Sequence, residues 1–309
     1  MIRFIVVFLV TAALGFAVLL PVRALNHGDA ARVARMASKP GRIVVLGDSV
    51  IAGYSHCDTD TASIPAMMSA ELHEPVIDGS RPGGTLGTSL DALRVAALAR
   101  SFRLAVVPVT VNGGLFRSVR PASDAVRLWE DFVRSLVYVP SSSPPRTSFK
   151  GRAYGGYEEN AAVYFRREKT ASTCPEEAGT DMAFVEYMYW LSYGQPLDTS
   201  EGYAAFAARA QWLQGRGIAM LAVLPPVNYQ LIDTLNDAPV MASLRTAVAR
   251  TEQQLEAARI PVVNLTFALP PSAFADQWCA CGHLAEQGRH EYARRVSEKV
   301  RSLLAGKPE

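Results

Sequence analysis

Apolar runs and amphipathic stretches alternate along most of this chain. Ile43-Val44-Val45-Leu46 is a continuous run rich in β-branched residues, the pattern of a strand buried on both faces. Leu104–Val111 and Ile218–Leu224 repeat the pattern, and Val76-Ile77 and Pro261–Leu265 are shorter versions of it. The intervening stretches carry helical spacing. Ala62–His73 sets Met67, Met68 and Leu72 on one face, and Leu86–Arg100 does the same with Leu86, Leu90, Leu93 and Ala97. Gly202–Gly215 reads as a helix closed by glycines. Val240–Arg259 carries Leu244, Val248, Leu255 and Ala258, and a last helix carries Tyr292, Val296, Val300 and Leu303. Strands alternating with helices predict parallel βαβ units. Five of them predict an α/β fold of the flavodoxin-like kind over residues 41–309: a three-layer α/β/α sandwich around a parallel five-stranded sheet.

Two stretches break the alternation. Phe4–Leu20 is uniformly apolar, preceded by Arg3 and followed by Pro21-Val22-Arg23. Its length approaches that of a helix crossing a bilayer, and Val22-Arg23-Ala24 is a poor cleavage site, so residues 1–25 read as a transmembrane anchor rather than a cleaved signal. Residues 26–40 are polar and Ala/Arg-rich, and predict a short stalk or a surface helix. In mid-chain, Ala125–Val139 predicts a helix and Ser141-Ser142-Ser143-Pro144-Pro145 a loop. Then Phe149–Pro196 loses its period and gains tyrosines (Tyr154, Tyr157, Tyr164, Tyr187, Tyr189, Tyr193). So many aromatics predict a folded insertion or lid over about 141–200, helical from Ala183 to Ser192, rather than a disordered linker.

Charge narrows the function classes. The 31 basic and 29 acidic residues leave a net charge of +2, which carries no nucleic-acid footprint. The basic residues after the apolar run (Arg23, Arg32, Arg35, Lys39, Arg42) would hold that side in the cytoplasm by the positive-inside rule. The cysteines argue the other way. Cys57, Cys174, Cys279 and Cys281 contain no Cys-x-x-Cys pair, and Cys-x-Cys before Gly282-His283 fits zinc spacing poorly, so no metal or other cofactor is expected. An even count in an exported chain fits one or two disulfides, with free buried thiols as the alternative. A bond from Cys57 to Cys279 or Cys281 would tie the segment after Ser49 to the loop holding His283.

The chemistry gathers around Leu46-Gly47-Asp48-Ser49. Gly47 permits a tight strand-to-helix turn that lifts Ser49 to the carboxyl edge of a parallel sheet. There the free N–H groups of a helix N-terminus favour developing negative charge, which suits a nucleophilic serine. The same Asp48-Ser49 pair also reads as a plain N-cap. Of the five histidines, His283 is the best placed base, in a loop just before the last helix.

Gly47-Asp48-Ser49, followed by Gly53 and Tyr54, resembles the first block of the SGNH (GDSL-type) hydrolase family. Asp276 and His283-Leu284, with Gly288 and Tyr292-Ala293 beyond, resemble its last block. Gly83 and Asn112, in loops after the second and third strands, are similar to the second and third. The resemblance implies the SGNH fold, Ser49 as nucleophile, His283 as base, Asp276 as the acid of the triad, and Gly83 and Asn112 as oxyanion donors. Tyr54 and Asn228 are the implied substrate-binding residues, Asn228 through the likeness of Pro225-Pro226-Val227-Asn228 to a segment of the teichoic-acid D-alanylation branch. The family usually has its Asp three residues before His. Ala280 stands there, and Asp276 lies seven residues before, with Trp278-Cys279-Ala280-Cys281 between.

An anchor joined to such a domain resembles the D-alanylation protein and the polysaccharide acetylation partners of membrane-bound O-acyltransferases. The implied function is a serine esterase or O-acyltransferase acting on an acylated cell-envelope polysaccharide. Its implied location is a bacterial inner membrane, single-pass, with the domain in the periplasm or otherwise outside the cytoplasm and a membrane-bound O-acyltransferase as partner. A lipid or small-ester hydrolase is the first alternative, expected if the cleft is apolar. A non-catalytic glycan-binding or assembly protein is the second, expected if His283 stands far from Ser49.

Overall fold

The computed structural model describes residues 29–53, 58–82, 84–111, 147–150, 152–154, 182–194, 200–275 and 282–306. Five parallel strands form one sheet in the order β2-β1-β3-β6-β7. They are β1 (Ile43–Gly47), β2 (Val76–Ser80), β3 (Leu104–Pro108), β6 (Ala219–Leu224) and β7 (Val262–Asn264). Side chains alternate across a strand, so each strand feeds two cores. Val44 and Leu46 point to one core with Ala105, Val107, Ala222 and Leu224. Ile43 and Val45 point to the other with Leu104, Val106, Leu221 and Val223.

Helices cover both faces. The first core is closed by α1 (Asp29–Ser38), α4 (Leu86–Ala99), α6 (Ser200–Gly215) and α8 (Ala238–Ala257), through Met36, Leu90, Phe206 and Leu244 among others. The second is closed by α3 (Ile64–Leu72) and α9 (Glu286–Ala305), through Met68, Tyr292, Val296 and Val300. The expected three layers are therefore present. A short helix α2 (Ser49–Ala52) follows β1, and α7 (Tyr229–Thr234), which the hydrophobic period did not announce, follows the β6 loop. The insertion contributes a hairpin, β4 (Thr147–Phe149) with β5 (Arg152–Tyr154), and a helix α5 (Met182–Tyr193) close to the expected span.

Two expectations change. Asp78-Gly79-Ser80, beyond the expected strand Val76-Ile77, continues β2 in register with Val45-Leu46-Gly47. Gly79 is tolerated there because it lies under the first core: a Cβ would sit 3.0 Å from both Leu46 and Val44 and 3.1 Å from the Met36 sulfur. Residues 29–38, expected as stalk or surface helix, form α1, which packs on α4 and β2 and buries Ala31, Arg32 and Met36. It runs antiparallel to the strands. Arg32 lies by Gly47 at their carboxyl ends, while Arg100 grips the carbonyls of Met36, Lys39 and Gly41 at the other end.

A buried ion pair joins α4 to α6. Arg209 donates from Nε and Nη2 to the two oxygens of Asp91 at 2.6 and 3.1 Å. Among the described residues, no helix is long and apolar enough to cross a membrane. The predicted anchor, the predicted helix 125–139 and all four cysteines lie outside the described residues.

Candidate active site

The turn after β1 sets the first side chain. Gly47 has φ +150, and a Cβ there would fall 2.4 Å from Ile51 Cγ1, so only glycine fits this close approach. Asp48 is the N-cap of α2; its carboxylate accepts the Val50 N–H at 2.9 Å. Ser49 is thereby the first helical residue, at the carboxyl edge of the sheet. The cap reading is realised by Asp48, and it leaves Ser49 at the first position of the helix. Burial pushes the Asp48 carboxyl above its ordinary value; the Val50 N–H, His283 and Arg32 pull the other way.

The second side chain comes from the far end of the chain. Leu284 forms an antiparallel bridge with Phe274, and both are buried. The Ala275 N–H donates to the His283 carbonyl and the Ala285 N–H to the Ala273 carbonyl, each at 3.0 Å. This bridge fixes the backbone of His283. Below it, the start of α9 is fastened to residues 58–62. The Glu286 N–H donates to Asp58 at 3.0 Å, the N–H groups of Thr59 and Asp60 donate to Glu286, and fully buried Arg289 donates to Asp58 at 2.9 Å and to the carbonyls of Asp60 and Ala62. Gly288 lets α9 meet the 271–273 turn, since a Cβ would lie 2.2 Å from the Ala273 carbonyl oxygen.

The result is a direct contact. His283 Nε2 lies 2.9 Å from Ser49 Oγ, although 234 positions separate them. With its hydrogen on Nδ1, the imidazole accepts the serine proton at Nε2. The pair opens into a cavity of about 320 Å³. Its wall includes Asp48, Val50, Thr110, Val111, Pro225 and Val227, and the insertion helix α5 adds Met188, Leu191, Ser192 and Tyr193. Burial holds the Tyr193 phenol above its ordinary range, so it stays protonated.

Gly83, Asn112, Asp276 and Tyr54 lie outside the described residues. Described neighbours of two of them reach the site region: Val111, before Asn112, lines the cavity, and Ala275, before Asp276, pairs with His283. Asn228 is described and stands apart. It is buried, its carbonyl accepts the Tyr189 hydroxyl at 3.3 Å, and the cavity wall ends at Val227 before it. Of the wall residues of α5, Met188 and Leu191 were not singled out by the sequence; the tyrosine-rich composition, Tyr193 included, and the expected helix were the signals pointing to that segment. Among the described residues, no group of three or more His, Cys, Asp or Glu is placed to hold a metal ion.

No family model and no curated protein matches the chain. Several solved structures are similar to it in outline. A catalytic variant of an acetylxylan esterase from Geobacillus stearothermophilus is 12% identical, with a TM-score of 0.45 over 85% of this chain and 96% of its own. A candidate acylhydrolase from Bacteroides fragilis is 11% identical, with a TM-score of 0.44 over 88% and 95%. A candidate lipolytic protein of the G-D-S-L family from Desulfitobacterium hafniense is 12% identical, with a TM-score of 0.43 over 84% and 99%.

Proposed function

We propose that this chain is a serine ester hydrolase or O-acyltransferase of the SGNH type. The observation that carries the reading is the 2.9 Å contact between His283 Nε2 and Ser49 Oγ at a strand-to-helix turn. His283 takes the hydroxyl proton while Ser49 Oγ bonds to the ester carbonyl carbon. The Ser49 N–H at the start of α2 faces the developing oxyanion, with the Gly83 N–H and the Asn112 side chain as further donors, each worth about 3–4 kcal/mol in a dry site. Collapse expels the alcohol, which receives its proton from His283. Water or a second hydroxyl then releases the acyl group from Ser49. Asp276 orients the imidazole; the Ala275–His283 hydrogen bond, one residue before it, supports that role.

The substrate reading is an acyl ester of a cell-envelope polysaccharide, held close to the membrane by the N-terminal apolar run, with a membrane-bound O-acyltransferase as partner. The direction of α1 supports it. Asp29 starts α1 at the sheet edge that carries Ser49, and residues 21–28 can span about 27 Å at roughly 3.4 Å per residue. An anchor ending at Leu20 would keep the cavity close to a bilayer surface. The apolar share of the wall (Val50, Val111, Met188, Leu191, Pro225, Val227) favours a second reading, a small-ester or lipid hydrolase. A His283 far from Ser49 would have favoured the non-catalytic reading; the contact between them supports a catalytic one.

The test is acyl release from p-nitrophenyl acetate and from acetylated polysaccharide by the full chain and by Ser49→Ala. Ser49-dependent acetyl release or transfer on the polysaccharide supports the first reading. Ser49-dependent turnover confined to the small ester supports the second, and equal turnover by the variant ends both.

A further inference from the structure

Arg32 is a fully buried arginine in a stretch that its polar composition assigned to a stalk or a surface helix. Burying a guanidinium is costly unless its donors are used, so what it holds is informative. Nη1 donates to Ser89 Oγ at 2.9 Å, which fastens the group to α4. Nη2 donates to the carbonyl of Gly47 at 3.3 Å, two residues before Ser49. That carbonyl also accepts the Arg81 N–H at 3.0 Å. The turn after Arg81 closes on itself, Gly84 N–H to Arg81 carbonyl at 2.8 Å, and it packs on the same guanidinium. A Cβ at Gly84 would lie 2.5 Å from Nη2. One cation therefore backs two turns at the sheet's carboxyl edge, the one that carries Ser49 and the one closed by Arg81 and Gly84. Its charge also stabilises the ionised form of Asp48.

We infer that Arg32 is a positioning residue for the reaction: it sets the Ser49 turn and the 81–84 turn relative to each other, and so sets the oxyanion donors against the nucleophile. This rests on the serine-esterase reading. It makes α1 part of the catalytic unit rather than a spacer. Ser89 completes the device by holding the guanidinium in its rotamer.

The balance with a filler role is decided by which kinetic constant moves. Misplacing reacting groups by about 1 Å can cost about 100-fold in rate without weakening substrate binding. Arg32→Met keeps the stem and removes the fork. Gly84→Ala keeps the Arg32 side chain but drives a methyl against Nη2 at 2.5 Å and against the Arg81 carbonyl oxygen at 2.8 Å. Arg32→Lys reaches one acceptor but not both. All three are made in the full chain and followed by circular dichroism, by kcat and KM on p-nitrophenyl acetate, and by the rate at which a fluorophosphonate probe labels Ser49. The expected result is a fall of about tenfold or more in kcat and labelling rate for Arg32→Met and Gly84→Ala, with KM within about twofold and partial recovery in Arg32→Lys. Unchanged kcat and labelling per folded molecule in Gly84→Ala and Arg32→Lys would overturn the inference, even if Arg32→Met failed to fold. Wild-type protein that is neither labelled at Ser49 nor active would instead overturn the nucleophile reading beneath it.

Discussion

His283 Nε2 and Ser49 Oγ stand 2.9 Å apart, one delivered by the turn after the first strand and the other by a bridge before the last helix. Neither group reaches the other by local geometry. Removing either should therefore abolish chemistry and spare the fold. Ser49→Ala and His283→Ala should each lower kcat on an activated acetyl ester by about a thousandfold or more. Combining them should cost little beyond one, because they act as a unit. Steady-state kinetics on the two single variants and the double variant check this; additive losses would show that the residues act separately.

The imidazole needs an orienting acid, and two aspartates are placed near it in space or along the chain. Asp276 follows the residue whose N–H binds the His283 carbonyl, whereas Asp48 spends an oxygen on the Val50 N–H. Asp276→Asn should lower kcat by about 100-fold or more, and Asp48→Asn by far less, since asparagine still caps Val50. The reverse order in kcat would move the orienting role to Asp48.

Asp48 has a second consequence, in stability against pH. Burial raises its pKa above the ordinary 3.8, so the folded chain binds this proton more tightly than the unfolded chain does. The stability it contributes is full below 3.8 and is lost as pH rises through the raised value. Asp48→Asn removes that titration. Urea unfolding between pH 3 and 8 should show the variant gaining on the wild type as pH rises through this window, then holding a constant difference. A gap independent of pH would mean that Asp48 titrates alike in both states.

The wall contributed by α5 is expected to limit acyl size. Met188 is buried on α5 and lines the cavity together with Pro225 and Val227. Met188→Ala should raise the butyrate-to-acetate ratio of kcat/KM by about tenfold, as expected for one or two methylenes in an apolar pocket. Competition assays with the two p-nitrophenyl esters measure the ratio; an unchanged preference would put the acyl group elsewhere.

Asp91 and Arg209 tie two helices of the first layer far from Ser49 in the chain. Asp91→Ala leaves a buried guanidinium without its bidentate partner and should cost about 3–5 kcal/mol of stability. Denaturant midpoints at constant slope check it, and kcat per folded molecule should stay unchanged.

The parallel sheet was legible because its strands are buried on both faces, and a doubly buried strand must be continuously apolar. Val44 and Val45 feed opposite cores, and that requirement is written in Ile43-Val44-Val45-Leu46. The Ser49 turn was legible for a similar reason: Gly47 is forced by a contact with Ile51, four residues on, so the constraint is local. The end of β2 was hidden because Asp78-Gly79-Ser80 has the composition of a loop, and only pairing with β1 and the space under Leu46 make it strand. The helix at 182–193 was legible in the sequence, yet nothing in the tyrosine spacing said that Met188 and Leu191 would line the cavity that Ser49 also lines. The place of Arg32 was hidden most fully. Its surroundings in the chain are polar and helical, and its partners, Gly47 and Ser89, come from β1 and α4. A sequence determines which residues want to leave water and which turns they permit. Which distant groups then share one buried position is decided only when the layers close, because burial energy is blind to partner identity and the hydrogen bonds that choose it exist only in the packed state.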